Sequence, residues 1–390
     1  MIQINPQLLA QVAPYYWNEM KAGLKLRYAA ASGSGAPVQV FTIHRATELF
    51  ENGGGQLDEA FVEQLIAGDL HHLISRNPII ENYWKTGLLV HYSSFQVNRE
   101  LERLGRPRNR LHQQQYRVEF VDRFRNPWVE PYIQQYRDYA QSNEKFKAFI
   151  TGVSQALDQL NESIKAIVSY ERDLPDELRH ELLHRMGTDV CPYCNRQFIT
   201  YYWKNKKQRY HTTADLDHFY PKSQFPLFSL SLYNFVPSCQ ICNSRFKLDK
   251  GVELLYPYEE GFEADAYFKV NYNSGSTIGS ILGDNTSFNI EIVLTASGSK
   301  RERIQNNIET FELTSVYQSH KDYARELLYK RKKYADLLKA DLKKLFEDAG
   351  TGLTLTDREI ALFQYGFSME PEEFSRRPLS KFAYDIVHRN

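Results

Sequence analysis

The sequence predicts an α+β fold that is mainly helical. Three observations predict it: helical periodicity before residue 187 and again after 299, four cysteines framing a central segment, and apolar–polar alternation over residues 266–295. Residues 5–29 carry helical periodicity and then meet ASGSGAP (residues 31–37), read as a loop. After Asn-Gly-Gly-Gly at 52–55 a second helix is expected over about 57–75, and further helices reach residue 171 with breaks at Pro107, Pro127 and Pro131. Asp173-Leu-Pro-Asp176 reads as a cap and first-turn proline for a helix ending at Gly187. The alternation over 266–295 predicts two or three antiparallel strands, and Thr356 with Glu359 has the form of a capping box for a helix that stops near Gly366. Three regions follow: 1–187, helical; 188–256, cysteine-framed; 257–390, a small sheet and then helices.

Composition narrows the class but not the function. The 390 residues are 42% hydrophobic and 14% aromatic, with 26 Tyr and 23 Phe, which marks an ordered chain able to bury a core. No apolar run approaches the length of a membrane span, and the first residues lack a cationic and hydrophobic leader pattern, so a cytoplasmic protein without membrane contact is expected. Lys plus Arg and Asp plus Glu both total 48, so a polyanionic partner must be met by local charge.

All four cysteines fall in two CxxC pairs, Cys191/Cys194 and Cys239/Cys242, with 44 residues between them. Each CxxC turn points two sulfurs the same way, and two turns can surround Zn²⁺ at about 2.3 Å. Such a closed site is structural, because no coordination position is left for water. Two disulfides or plain buried thiols are the alternatives.

Between and after the pairs run DLDHFYPKS (215–223), LYNFVPSC (232–239) and CNSRFK (242–247). These motifs resemble the HNH, or ββα-metal, endonuclease family in its four-cysteine form, and the resemblance covers about residues 191–250. It implies a central zinc-stapled ββα-metal module that hydrolyses phosphodiesters, DNA more than RNA. It implies Asp217 and Asn243 as ligands of a catalytic Mg²⁺ or Mn²⁺, His218 as general base, and Asn234, 16 residues on, as the residue that holds the base-bearing loop. Those types suit the chemistry: an imidazole can deprotonate water near neutral pH, and a hard cation takes oxygen ligands and neutralises phosphate charge. Asn243 stands where many members carry His, which disfavours a transition metal. Asp215 is a candidate supporting acid. Within the family the motifs most resemble the nuclease subunit of Septu-type anti-phage systems, which implies an ABC-type ATPase partner docking on the helical flanks.

Lys247, four residues after Asn243 on the same helical face, is a candidate phosphate contact, with Lys222 and Arg245 beside it. Arg196, Lys204, Lys206, Lys207 and Arg209 form an acid-free run interleaved with Tyr201, Tyr202 and Trp203, an arm able to track a backbone and stack bases. Basic runs over 99–125 and 320–344 are further candidate phosphate faces. Taken singly, each of these residues has a plainer reading as a turn residue or a solvated charge. His180-Glu-Leu-Leu-His184 matches HExxH, but Arg179 and Arg185 flank it and Val190 occupies the third-ligand place of the longer motif, so a metalloprotease is not expected. An RNA substrate, such as a tRNA loop, and a non-catalytic zinc-ribbon module remain the alternatives to a DNA endonuclease.

Overall fold

The computed structural model describes residues 1–389 except 35–36, 106–109, 206–208, 334–339, 342, 346–347, 349–355 and 368–369. The first region is a stack of helices: α1 (Gln7–Ser34), α2 (Glu59–Ala67), α3 (Leu70–Arg76), α4 (Pro78–Leu104), α5 (Arg110–Arg123), α6 (Glu130–Gln135), α7 (Asn143–Ile167), α8 (Tyr170–Asp173) and α9 (Asp176–Met186). Three boundaries differ from expectation. Helix α1 continues through the stretch expected as a loop, as far as Ser34, because Ala31 packs against the core. The helix expected over 57–75 is two, since Gly68 ends α2 and the Asp69 carboxylate caps α3 by accepting from His72 N at 3.0 Å. Asp173 is not the cap of α9: its carboxylate pairs with Arg27 at 2.9 Å, and Pro175 holds the position before the helix. The left-handed Gly187 (φ 61°) ends α9 as expected.

In the central region β1 (Tyr201–Lys204) and β2 (Arg209–Thr212) form a hairpin against α9, with His184 stacked on Tyr210 at 3.8 Å and His180 facing His211 at 4.6 Å. Next, β3 (Ala214–His218) pairs antiparallel with β4 (Phe235–Cys239), placing Asp217 opposite Val236 and His218 opposite Phe235. A π-helical turn, Cys242–Lys247, follows immediately. The order is therefore strand, strand, helical turn, with one cysteine pair at the end of β4 and the start of that turn.

The C-terminal region has the small sheet the alternation predicts, with two strands: β5 (Ala266–Asn271) and β6 (Asn289–Leu294) pair antiparallel with α10 (Ile278–Leu282) between them. Helices α11 (Gly298–Thr310), α12 (Leu313–Val316), α13 (Lys321–Lys333), α14 (Asp357–Tyr365) and α15 (Ser380–His388) complete it. Both halves of the capping box at Thr356 and Glu359 form, and Gly366 is left-handed (φ 74°).

Buried residues from all three regions join one contiguous hydrophobic cluster. Helix α4 shows how the central segment is seated. Gly87 lies so close to the Phe225 ring that an added Cβ would come within 2.3 Å of it. Tyr83 donates to Asn161 Oδ1 at 2.9 Å, and Asn161 donates to Gln224 O at 3.1 Å. No helix among the described residues is long and apolar enough to cross a membrane.

Candidate active site and metal centre

The four cysteines come together. All are buried and unbridged, and their sulfurs lie within 4.8 Å of one another. Four convergent thiols with a backbone donor, Arg196 N at 3.4 Å from Cys194 Sγ, are the donor set of a closed tetrahedral zinc site, so this cluster can bind a metal such as zinc. Among the described residues no other group of His, Cys, Asp or Glu gathers in this way. The HExxH residues do not: His180 and His184 pack on the hairpin, and Glu181 accepts from Arg185 at 2.7 Å.

The first knuckle is also a hub. Asn195, left-handed at φ 51°, accepts from Leu379 N through its backbone at 2.6 Å and from Lys381 N through its side chain at 3.1 Å, and its amide donates to Phe374 O at 2.9 Å. Tyr317 donates to Cys194 O at 2.7 Å, and Ile2 N donates to Pro192 O at 2.9 Å. Residues near both ends of the sequence thus meet at the cysteine cluster.

Asn234 is fully buried and spends its whole amide on backbone. Its Oδ1 accepts from Tyr220 N at 2.7 Å, and its Nδ2 donates to Tyr220 O and Phe228 O, each at 3.0 Å. It pins the loop that leaves β3 just after His218. The His218 ring is anchored at the other end: Nε2 lies 2.9 Å from Ser229 O. A carbonyl oxygen only accepts, so Nε2 carries the proton and Nδ1 keeps its lone pair. Nδ1 has no protein partner among the described residues and is not among the unpartnered nitrogens sealed from solvent. Burial lowers the His218 pKa to about 3, against the Ser229 carbonyl, which raises it, and with Lys222 and Lys247 pushing further down. The imidazole is therefore neutral. Its ring meets Tyr170 of α8 edge-on at 4.6 Å and Phe235 at 5.2 Å, leaving His218 only 9% exposed.

Asp217 projects from the opposite face of β3, where Tyr193, inside the first knuckle, donates to Oδ2 at 2.6 Å and Lys247 meets Oδ1 at 3.0 Å. Lys247 also donates to the His218 carbonyl at 2.7 Å. Burial pushes the Asp217 pKa up, opposed by Lys247 and Tyr193. Asn243 faces Asp215 instead, with Nδ2 donating to Asp215 Oδ2 at 3.0 Å and Ser244 donating to the same oxygen at 3.4 Å. The π turn lies along β3, whose alternate residues Asp215 and Asp217 share a face about 6.6 Å apart, near the pitch of one helical turn. Asn243 is thereby matched with Asp215, and Lys247 with Asp217. In this arrangement Asp217 offers a divalent ion no vacant oxygen: it is 3% exposed with both oxygens engaged.

The candidate phosphate contacts separate into two groups. Lys247 is buried at 4% exposure and is not a surface contact, because the π turn directs it onto Asp217. Lys222 pairs with Glu171 and lies 4.5 Å over the Tyr170 ring. Arg196 is half-buried, donating to His320 Nε2 at 3.0 Å and covering Tyr317. Arg245 and Lys204 are exposed, Arg209 pairs with Glu177, and Lys206 and Lys207 lie outside the described residues. Tyr202 and Trp203 are about half exposed on the hairpin. The basic run over 99–125 is largely spent internally: Arg99 pairs with Glu309, Arg123 with Glu253 and Arg125 with Glu130, while Arg117 is buried against Ala140 O. In the 320–344 run, Arg325 pairs with Asp322 and Lys330 with Glu326, and residues 334–339 and 342 lie outside the described ones.

Sequence reasoning missed Tyr193, Tyr170, Glu171, Ser229 and His320. Only Tyr193 carried a local signal, an aromatic hydroxyl inside a metal-binding turn. No protein-family model, curated protein or solved structure matches the chain.

Proposed function

We propose that the chain is a nucleic-acid endonuclease of the HNH kind, with His218 Nδ1 accepting the proton of the attacking water. One observation carries the reading. The candidate base is held in a single tautomer, Nε2–H on Ser229 O, on a strand whose exit loop Asn234 ties down, so that its lone pair is fixed in direction. The zinc-type cluster clamps the end of β4 to the knuckle that carries Tyr193, and so sets the position of Asp217. The Asp217 oxygens that the resemblance gives to a catalytic Mg²⁺ or Mn²⁺ are held by Tyr193 and Lys247.

DNA is the proposed substrate. Tyr202, Trp203 and Lys204 on the hairpin and Arg245 beside Asn243 are the exposed groups suited to stacking and phosphate contact. Defence against phage beside an ABC-type ATPase is part of the proposal and rests on the motif resemblance alone. The test is incubation of the purified chain with plasmid DNA and with total RNA, comparing wild type with His218→Ala and Asn243→Ala. Cutting of DNA that His218→Ala abolishes supports the reading, cutting of RNA alone moves the substrate to RNA, and equal cutting by all three proteins removes it.

The burial of His218 under Tyr170 favours a second reading, a zinc-stapled binding module without catalysis. It predicts nucleic-acid binding that His218→Ala leaves unchanged, and no cleavage.

A further inference from the structure

The groups around Asp217 describe a cation site that is already filled. Lys247 Nζ sits 3.0 Å from Asp217 Oδ1 and 2.7 Å from the His218 carbonyl, and Tyr193 closes Oδ2. Two of the three ammonium protons are thus directed at oxygens that a hard metal ion would itself seek. Mg²⁺ or Mn²⁺ at a carboxylate keeps several waters, and a carboxylate 3% exposed beside a lysine 4% exposed leaves them no room. The second ligand of the resemblance is matched with a different carboxylate, the Asn243 Nδ2 donating to Asp215 Oδ2 and not to Asp217. An ammonium is strongly hydrated and stays buried only when its charge and protons are matched, which Asp217 and the His218 carbonyl do.

We infer that the resident cation at Asp217 is the Lys247 ammonium, in the place the resemblance gives to a divalent ion, and that this site takes up no divalent ion. The inference rests on the nuclease reading for its functional meaning, but its binding statement stands on the geometry alone. Lys247 acts as a positioning residue: by holding both the Asp217 carboxylate and the His218 carbonyl, it fixes the strand end that carries the imidazole.

The probe is Mn²⁺, measured by equilibrium dialysis with electron paramagnetic resonance on the full-length, zinc-loaded chain. Wild type is expected to bind no Mn²⁺ that Asp217→Asn then loses, whereas Lys247→Ala, which releases the carboxylate and vacates the space beside it, gains one bound ion. Mn²⁺ uptake by wild type that disappears in Asp217→Asn overturns the inference, and this comparison decides it even where Lys247→Ala does not fold. The second readout is cleavage after removal of divalent ions with the zinc content checked: persistent cutting supports the inference, and cutting that requires added Mg²⁺ or Mn²⁺ overturns it. Absence of cleavage under every condition counts against the nuclease reading, while the Mn²⁺ result still decides the cation.

Discussion

The Tyr193 hydroxyl donates to Asp217 Oδ2 at 2.6 Å, which links the cysteine knuckle directly to the strand that carries His218. Tyr193 is itself fully buried, stacked on Phe311 at 4.6 Å, and burial together with Asp217 keeps its phenol protonated. Tyr193→Phe keeps the stack and removes the donor. The expected cost is about 1–3 kcal/mol, the penalty for a buried oxygen left without its partner. Zinc content is expected to be unchanged, with a lower denaturation midpoint and slower cleavage. A midpoint equal to wild type would show that the bond contributes nothing.

Asn234→Ala removes three hydrogen bonds that join the loop after β3 to itself. At about 1 kcal/mol each the loss is about 3 kcal/mol, to be read as a shift in urea midpoint at constant slope. Asn234→Asp keeps the acceptor but sets a buried carboxylate oxygen against the Tyr220 and Phe228 carbonyls, and is expected to cost at least as much as Asn234→Ala. A midpoint within error of wild type for Asn234→Ala would contradict the role assigned to this side chain.

Removal of the metal is expected to free both ends of the chain. The purified protein should hold one zinc ion, and Cys242→Ser should lower both zinc content and thermal stability. Because Asn195 in the knuckle receives Leu379 N and Lys381 N, limited proteolysis of the zinc-free protein should cut near α15 first. Protection of that helix after metal removal would contradict the coupling.

Glu171 holds Lys222 beside the ring that covers His218. The pair is largely solvent-exposed, so Glu171→Gln is expected to change stability by less than about 1 kcal/mol. Releasing Lys222 should tighten nucleic-acid binding and steepen its salt dependence. Unchanged affinity across a salt titration would place Lys222 outside the binding surface.

Two histidines outside the cysteine set give the fold an acid limit. Burial lowers His91 to about 4, and burial with the neighbouring Arg196 lowers His320 to about 4. The unfolded chain, with histidine near its ordinary value of about 6.5, takes up these protons first. Their contribution is therefore fully present above about pH 6.5 and is lost as the pH falls towards 4. His320→Gln should flatten this part of the stability profile; an unchanged slope between pH 6.5 and 4 would contradict the assignment.

Much of the local structure was legible because it depends on short-range chemistry. Both CxxC turns, the capping box at Thr356 and the left-handed Gly187 follow from residue types at fixed spacing. What was not legible depends on which partner a side chain meets across the fold. Asp173 reads as a helix cap, but Arg27 from α1 claims its carboxylate. Lys247 reads as a surface phosphate contact, but a π turn laid along β3 buries it on Asp217. The arginines of 99–125 read as a basic face, and their acidic partners Glu253 and Glu309 lie far along the sequence.

The most direct test of the proposed function is the nicking rate of supercoiled plasmid by wild type and His218→Ala at equal zinc content and matched circular dichroism. The variant is expected to lose at least about 100-fold in rate, the contribution typical of a general base. Equal rates for the two folded proteins would contradict it.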